Sequence, residues 1–401
     1  MMRILFLSMW FPFPANNGSK LRIYNLLRGL AAQHEVTLIS FADQPDADPD
    51  VPELRQICRE VRVVPTSWFD PHSLRAKLGF FSLKPRSVID TFSPQMAEAI
   101  TETLTAVPHD LIIASQTRMA GYQPYFGGAP ALFEEVEMGV IYEEYAQAAT
   151  FKQRLRYGLT WAKHRHYMAG LMAKFAAVTV ASEPERELLR RRVGGKGLGS
   201  PWLRVELLPN CIDVAAYADV AAAPQPDTLI YTGSFSFAPN YEAMKWFILQ
   251  VWPLVLAQVP QARLVITGNQ AGRQLPPGKH VQHVGFVDDV RTYVAGSWVS
   301  LAPLQTGGGT RLKILEAMAL HTPVVATSKG AQGLDAQPGE HFLQADEPQA
   351  FADEVARLLQ DADLRRTLTE KAYELVWRMY DYTAVTPKLL HLIDEIAHAH
   401  H

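Results

Sequence analysis

The feature that most constrains this chain is an alternation that runs twice. Short apolar runs alternate with segments whose apolar residues recur at helical spacing, and the pattern restarts after a break near residue 210. In the first half, Arg3–Met9, Glu35–Phe41, Val61–Val64, Leu111–Ala114, Leu132–Phe133 and Val178–Ala181 read as strands. Between the first two, Ile23, Leu26, Leu27, Leu30 and Ala31 fall on one helical face. Strands apolar on both faces, separated by amphipathic helices, predict parallel sheets covered by helices. In the second half, Thr228–Gly233, Arg263–Gly268, Val281–Gly285, Val299–Pro303 and Pro323–Thr327 repeat the pattern, with helices over 241–256, 310–320, 348–359, 364–376 and 385–397.

The fold class that follows is α/β, with two Rossmann-like doubly wound domains facing a cleft. The expected boundaries are 1–210 for the first domain, 211–227 for an Ala/Pro-rich linker, 228–378 for the second domain, and 379–401 for a last helix. A length of 401 residues suits two domains. Two cysteines exclude a disulfide scaffold and any multi-cysteine metal site. A net charge of −3 carries no nucleic-acid signature. The apolar N-terminus is interrupted by Pro12 and Pro14, so it reads as a buried first strand rather than a signal peptide. No apolar run is long enough for a transmembrane span.

Sheets of this kind bind ligands at the carboxyl ends of their strands. The most informative loop there is Gly307-Gly308-Gly309-Thr310-Arg311-Leu312-Lys313-Ile314-Leu315-Glu316, which leaves a strand and opens a helix. A turn needs one glycine; three permit close backbone approach to a ligand. Arg311 and Lys313 oppose the helix dipole unless an anion such as a diphosphate sits between them. Thr310 is positioned to cap the helix. Glu316 shares a face with Lys313 and suits ribose hydroxyls. Two further loops start helices after strands: Asn16-Asn17-Gly18-Ser19-Lys20, and Tyr231-Thr232-Gly233-Ser234-Phe235-Ser236, where Ser234 and Ser236 suit a phosphate and Asn240 a helix cap. The first lacks dinucleotide-fingerprint spacing. Asp46-Ala47-Asp48 and Asp361-Ala362-Asp363 have the form of metal-binding pairs, but neither ends a buried strand, so both read as loop or helix-start acids.

Residues 151–200 carry eleven Lys and Arg against three Glu, a local surplus of eight. This is either a solvated helical face or a surface for anionic lipid or a phosphorylated acceptor.

The blocks GGGTRLKILEAMALHTPVVAT (307–327), HVGFVDDVRTYVAGSWVSLAPL (283–304), YTGSFSFAPNYEAMKWF (231–247), and SEPERELL with LLPNCID (182–213) resemble glycosyltransferase family 4, the retaining GT-B sugar transferases, including bacterial members linked to exopolysaccharide assembly. The resemblance implies a nucleoside diphosphate sugar donor on the second domain and a glycan or lipid-linked acceptor on the first. It also implies no cofactor, no required metal, and a last helix that returns to the first domain. Glu316 matches the second glutamate of the family's Glu-x7-Glu motif; Gly308 stands where the first belongs. Gly233-Ser234 replaces the usual Gly-Arg pair that holds the diphosphate, which makes Arg311 and Lys313 the replacement cations. Ile112-Ile113-Ala114-Ser115-Gln116 stands where a histidine is often found, at the cleft end of the first domain's fourth strand. Glu135 and Glu137 are candidates for acceptor contacts. The setting expected is cytoplasmic, at the inner face of the membrane, with the basic segment 151–200 making a peripheral contact to anionic lipid. Two other readings remain open at this point. One is a nucleotide-sugar epimerase of the same fold, which requires acid/base carboxylates and histidines in the cleft. The other is a two-lobed sugar-binding protein, for which a signal sequence is expected.

Overall fold

The computed structural model describes residues 1–45, 47–193, 204–308 and 311–399. Asp46, Gly309 and Thr310, all named above, lie outside the described residues. The chain divides into two compact units: Met1–Asn210 with the segment from Val385 onward, and Cys211–Ala384.

The first unit is built on β1 (Arg3–Ser8), β2 (Glu35–Ala42), β3 (Glu60–Pro65), β4 (Leu111–Ser115), β5 (Ala131–Glu134), β6 (Ala177–Val180) and β7 (Val205–Leu207). Its order is β3-β2-β1-β4-β5-β6-β7, with every pairing parallel. Ile4–Leu7 of β1 are fully buried, as a strand covered on both faces requires. The helix Gly18–Ala31 turns Ile23, Leu26, Leu27 and Leu30 into the core. The helix Tyr382–His398 packs here through its larger part. Glu395 pairs with Arg204 at 2.6 Å. Thr386 sits so close to Gly29 that a Cβ at that glycine would lie 2.3 Å from its Oγ1.

The second unit holds β8 (Gln225–Thr232), β9 (Arg263–Thr267), β10 (Val281–Gly285), β11 (Ser297–Ala302), β12 (Val324–Ala326) and β13 (Leu343–Gln344). The order is β10-β9-β8-β11-β12-β13, again all parallel. In both sheets the direction of winding reverses between the first strand and its later neighbour, β1/β4 and β8/β11. The loops after those strands flank the switch point, the place where open sheets of this kind in general bind ligands.

Several expectations need correction. Residues 211–227 are not a free linker. Cys211, Ile212, Val214 and Tyr217 are buried in the second unit, Ile212 bridges to Asp381, and β8 begins at Gln225. Apolar residues spaced along an Ala/Pro-rich stretch are the physical reason. The helix expected over 241–256 starts at Ala238 and widens over Phe247–Val251 before Pro253. Proline lacks the N–H that a regular turn needs there. The helix expected from Thr310 begins at Leu312. β7 and β13, only three and two residues long, carry too little pattern to be read from sequence.

Candidate functional site

In the second unit, glycines end three neighbouring strands. Gly233, Gly268 and Gly285 have φ of +152°, +115° and +77°. At Gly268 the requirement is absolute: a Cβ would lie 2.3 Å from the Gly233 carbonyl oxygen. The loop after β8 and the glycine loop after β11 meet at Gly307 (φ +99°), where a Cβ would lie 3.1 Å from the Pro239 ring. The switch point of this sheet is therefore lined by backbone held at close range.

Lys313 brings its charge to that place. Its Nζ lies 3.3 Å from Asn240 Oδ1 and 4.2 Å from the centre of the Tyr231 ring. A Cβ on Gly233 would be 3.2 Å from it. A lysine of the facing helix therefore stands beside Gly233-Ser234, where the sequence itself carries no cation. Burial, and then the neighbouring Arg311 charge, lower the Lys313 pKa to about 7, while Glu316 opposes the shift. Asn240 does not cap a helix. It lies inside the helix Ala238–Trp246, accepts from Tyr231 Oη at 2.8 Å, and donates to the Ser234 carbonyl at 2.9 Å. This fixes the loop that holds Ser234, whose hydroxyl pairs with Ser236 at 2.8 Å.

Glu316 lies one turn beyond Lys313 on the helix Leu312–Ala319 and is half-buried. Burial raises its pKa, opposed by a hydrogen bond from Tyr217 and by the charges of Lys313 and Arg291. Tyr217 Oη donates to Glu316 Oε1 at 3.1 Å. Sequence reasoning missed Tyr217 because it lies in the stretch read as linker. Arg291 is itself set by Asp289 and donates to the Ala216 carbonyl at 2.8 Å.

Arg311 differs from expectation. Its buried guanidinium donates to the carbonyls of Gly308 at 2.9 Å, Gly307 at 3.0 Å and Lys329 at 2.9 Å. These bonds brace the glycine loop rather than aim the charge at the open end of the sheet. The residue also occupies the cap position of the helix, with no side-chain cap bond, where Thr310 was expected.

In the first unit, Gly18 opens its helix as expected, with Asn17 Oδ1 accepting from the Lys20 N–H at 3.1 Å. The Lys20 ammonium, however, is buried on Asp43 at 2.9 Å and Gln44 at 2.6 Å, so this loop offers no free cation. Charge gathers instead at the ends of β4 and β5. Arg22, fully buried, donates from Nε to Glu134 Oε1 at 2.7 Å, from Nη1 to Asn210 at 2.6 Å and from Nη2 to the Leu208 carbonyl at 3.1 Å. Ser115 donates to the other Glu134 oxygen at 2.6 Å. Gln116 and Glu135 follow these strands, with φ of +69° and +58°, a conformation that costs non-glycine residues about 1–3 kcal/mol. They are joined by a 2.9 Å bond from Gln116 Nε2, and Trp10 Nε1 fixes the Gln116 amide at 3.1 Å. Burial pushes the Glu135 carboxyl up to about 7, with Arg22 opposing. Glu185 is likewise raised to about 7 by burial, while its carboxylate accepts from the Met138 and Gly139 N–H groups. Asp361 serves as a helix cap, accepting from Leu364 N at 2.8 Å, and Asp363 pairs with Arg366. Among the described residues, no group of three or more His, Cys, Asp or Glu is placed to hold a metal.

This glycine-edged switch point falls within a recognisable domain. Residues 226–361 match the family model "Glycosyl transferases group 1". Over 164 residues the chain is 22% identical to an uncharacterized 44.6 kDa protein in the cps region of Klebsiella pneumoniae, a match spanning 38% of this chain and 42% of that relative. Among solved structures, sucrose-phosphate synthase from Thermosynechococcus elongatus is similar over 100% of both chains, at TM-score 0.70 and 21% identity. Anabaena Alr3699/HepE in complex with UDP and glucose is similar over 98% of this chain and 100% of that one, at TM-score 0.67 and 16% identity. WaaG, a glycosyltransferase involved in lipopolysaccharide biosynthesis, is similar over 97% and 99%, at TM-score 0.59 and 14% identity. The fold is the two-unit GT-B fold of these proteins.

Proposed function

We propose that this chain is a retaining glycosyltransferase of family 4 type, which moves a sugar from a nucleoside diphosphate donor to an acceptor hydroxyl. The observation that carries the proposal is Lys313 beside Gly233 at the switch point, one helical turn from Glu316, inside a group 1 glycosyl transferase domain. A departing diphosphate needs preorganised positive charge and backbone donors aimed at it. Lys313 supplies the charge. Gly233, Ser234, Gly307 and Gly308 bring backbone close, and Gly309 and Thr310 complete that loop in the sequence. Arg311 acts as a positioning residue through the carbonyls of Gly307 and Gly308. Glu316, oriented by Tyr217, accepts from the ribose hydroxyls. The UDP-bound neighbour supports a nucleotide donor.

On the first unit, Gln116 and Glu135 are the groups we assign to the acceptor. A carboxyl with a pKa near 7 both accepts and returns a proton at neutral pH. The cps-region relative and WaaG support a role in cell-surface polysaccharide or glycolipid synthesis. Such a role calls for a glycan or lipid-linked acceptor, and the surplus of eight positive charges over residues 151–200 supports peripheral contact with an anionic membrane. Among the described residues no helix is long and apolar enough to cross a membrane.

Glu316→Gln tests the donor assignment. It is expected to weaken UDP binding by about 1.5–3 kcal/mol, the range for a hydrogen bond to a charged group. Affinity for a dideoxyribose analogue of UDP, which offers no hydroxyls, is expected to stay at the wild-type value. Calorimetry with both ligands separates the outcomes: equal losses for both contradict a ribose contact.

A further inference from the structure

Two segments of the first unit leave large apolar side chains on the surface. Within 74–86, Leu74, Leu78, Phe80, Phe81 and Leu83 are each more than half exposed, Phe81 at 94%. On the helix Phe151–Met172, Phe151, Leu155 and Leu159 are also more than half exposed. Their spacing of four places them in one stripe. Lys163, one turn further on, donates from Nζ to the Phe80 carbonyl at 2.7 Å, which sets the two segments side by side. Scattered exposed apolar residues are ordinary, but eight on adjoining segments mark an interaction surface.

The patch is built rather than frayed. The Arg86 guanidinium lies 3.9 Å from the centre of the Phe80 ring. It also donates to the carbonyls of Ala76 at 2.7 Å and Pro71 at 2.6 Å, holding the turn that displays Phe80 and Phe81. Its charge is of one sign. Residues 74–86 carry four Lys and Arg, the helix carries five, and neither contains an Asp or Glu. The acids nearest to the first segment in sequence are Asp70 and Asp90; Asp90 accepts from Ser73 Oγ and from the Asp70 N–H, and Asp70 Oδ1 accepts from the His72 N–H at 2.8 Å.

We propose that these two segments form a membrane-insertion surface whose occupant is a bilayer leaflet with anionic headgroups. A second copy of the chain seated here would set basic segment against basic segment, with no acid on either. A bilayer matches both features: phosphates meet the basic side chains, and the acyl boundary takes the exposed rings and aliphatic tips. The surface differs from the whole basic stretch 151–200. Arg186 and Arg191 of that stretch pair with Glu183 and Glu187, and Arg192 lies against the Tyr142 ring. The inference deepens the membrane contact of the proposed function and rests on it, so lipid and nucleotide binding are read separately.

The test is co-sedimentation of the full chain with vesicles of one part phosphatidylglycerol to three parts phosphatidylcholine, at low and high salt, with a UDP thermal shift in parallel. Wild-type protein is expected to pellet at low salt and to keep a fraction bound at high salt, since insertion is not screened as surface charge is. Phe81→Asp with Leu155→Asp is expected to reduce binding by about tenfold or more and to remove the salt-resistant fraction. Lys152→Glu with Arg156→Glu is expected to remove mainly the salt-sensitive part. The UDP shift should be unchanged in both variants. Three results overturn the proposal: no pelleting of wild type at low salt, a Phe81/Leu155 variant that pellets like wild type, or a wild-type dimer that this variant dissolves with no lipid binding in either. Vesicle binding with no thermal shift by UDP, GDP, ADP or dTDP leaves this surface standing and removes the nucleotide reading instead.

Discussion

Lys313→Ala is expected to lower affinity for UDP-glucose by about 1.5–3 kcal/mol. Turnover of whichever nucleotide-sugar is the donor should fall further, by about 10²–10³, the effect of removing one preorganised donor to developing charge. The reason lies in how the cation is held. Its Nζ is tied only to Asn240 and the Tyr231 face by the contacts described, and no carboxylate lies within ion-pair range of it among those contacts. Burial and Arg311 hold its pKa at about 7 rather than 10.5. A diphosphate placed beside it reverses that shift, so binding above pH 7 takes up a proton. Affinity should therefore fall as pH rises from about 6.5 to 8.5, by at most about tenfold per unit. Stability runs the other way. The unfolded lysine keeps its proton up to about 10.5 and the folded one releases it near 7, so the unfolded chain binds more protons between them. Lys313 thus costs stability in full below about 7, and that cost is relieved as pH rises towards 10.5. Calorimetry with UDP-glucose across this range checks the binding claim. The slope should be present in wild type and absent in Lys313→Ala, and a flat wild-type profile contradicts the assignment.

Arg22→Met is expected to destabilise the first unit by about 3–5 kcal/mol, the cost of breaking a fully buried ion pair by removing one partner. Arg22 and Glu134 are both wholly inaccessible, and the guanidinium also serves Asn210 and the Leu208 carbonyl. Without it, Glu134 keeps Ser115 but loses its counter-charge. Adding Glu134→Gln removes the stranded charge and should recover part of the loss. Hydrogen exchange in β1, β4 and β5 reads this unit directly, where a whole-chain melt would mix two units. Protection in Arg22→Met equal to wild type would show that the pair contributes nothing.

The strands that frame both switch points were legible because they are fully buried runs, such as Ile4–Leu7 and Leu229–Tyr231, flanked by helices with one apolar face. The glycine loop and Lys313 stand out as candidates in the sequence for a different reason. Three glycines followed by cations at a helix start conflict with local preference, and such conflicts collect at functional sites. Proximity in space was not legible. The sequence places Lys313 eighty residues from Gly233, Tyr217 about a hundred from Glu316, and Arg22 more than a hundred from Glu134. Each pair meets only because parallel strands return to the same edge. The same limit explains Arg311, whose charge alone suggested an anion contact. The three carbonyls that occupy it belong to its own loop and to Lys329. The exposed patch over 74–86 was equally silent, since Leu and Phe in a short helix look like core until the surface is known.

In the proposed reaction the second unit binds a nucleotide-sugar and the chain cleaves it for transfer. The most direct measurement is incubation with UDP-, GDP-, ADP- and dTDP-sugars, reading both released nucleoside diphosphate and the identity of the remaining donor. One of these donors should yield free diphosphate, Lys313→Ala should lose most of that release, and the transferred sugar should keep its anomeric configuration. A donor returned as its epimer with no diphosphate released, or binding with no turnover of any donor in the presence of membrane extract as acceptor source, would contradict the proposed reaction.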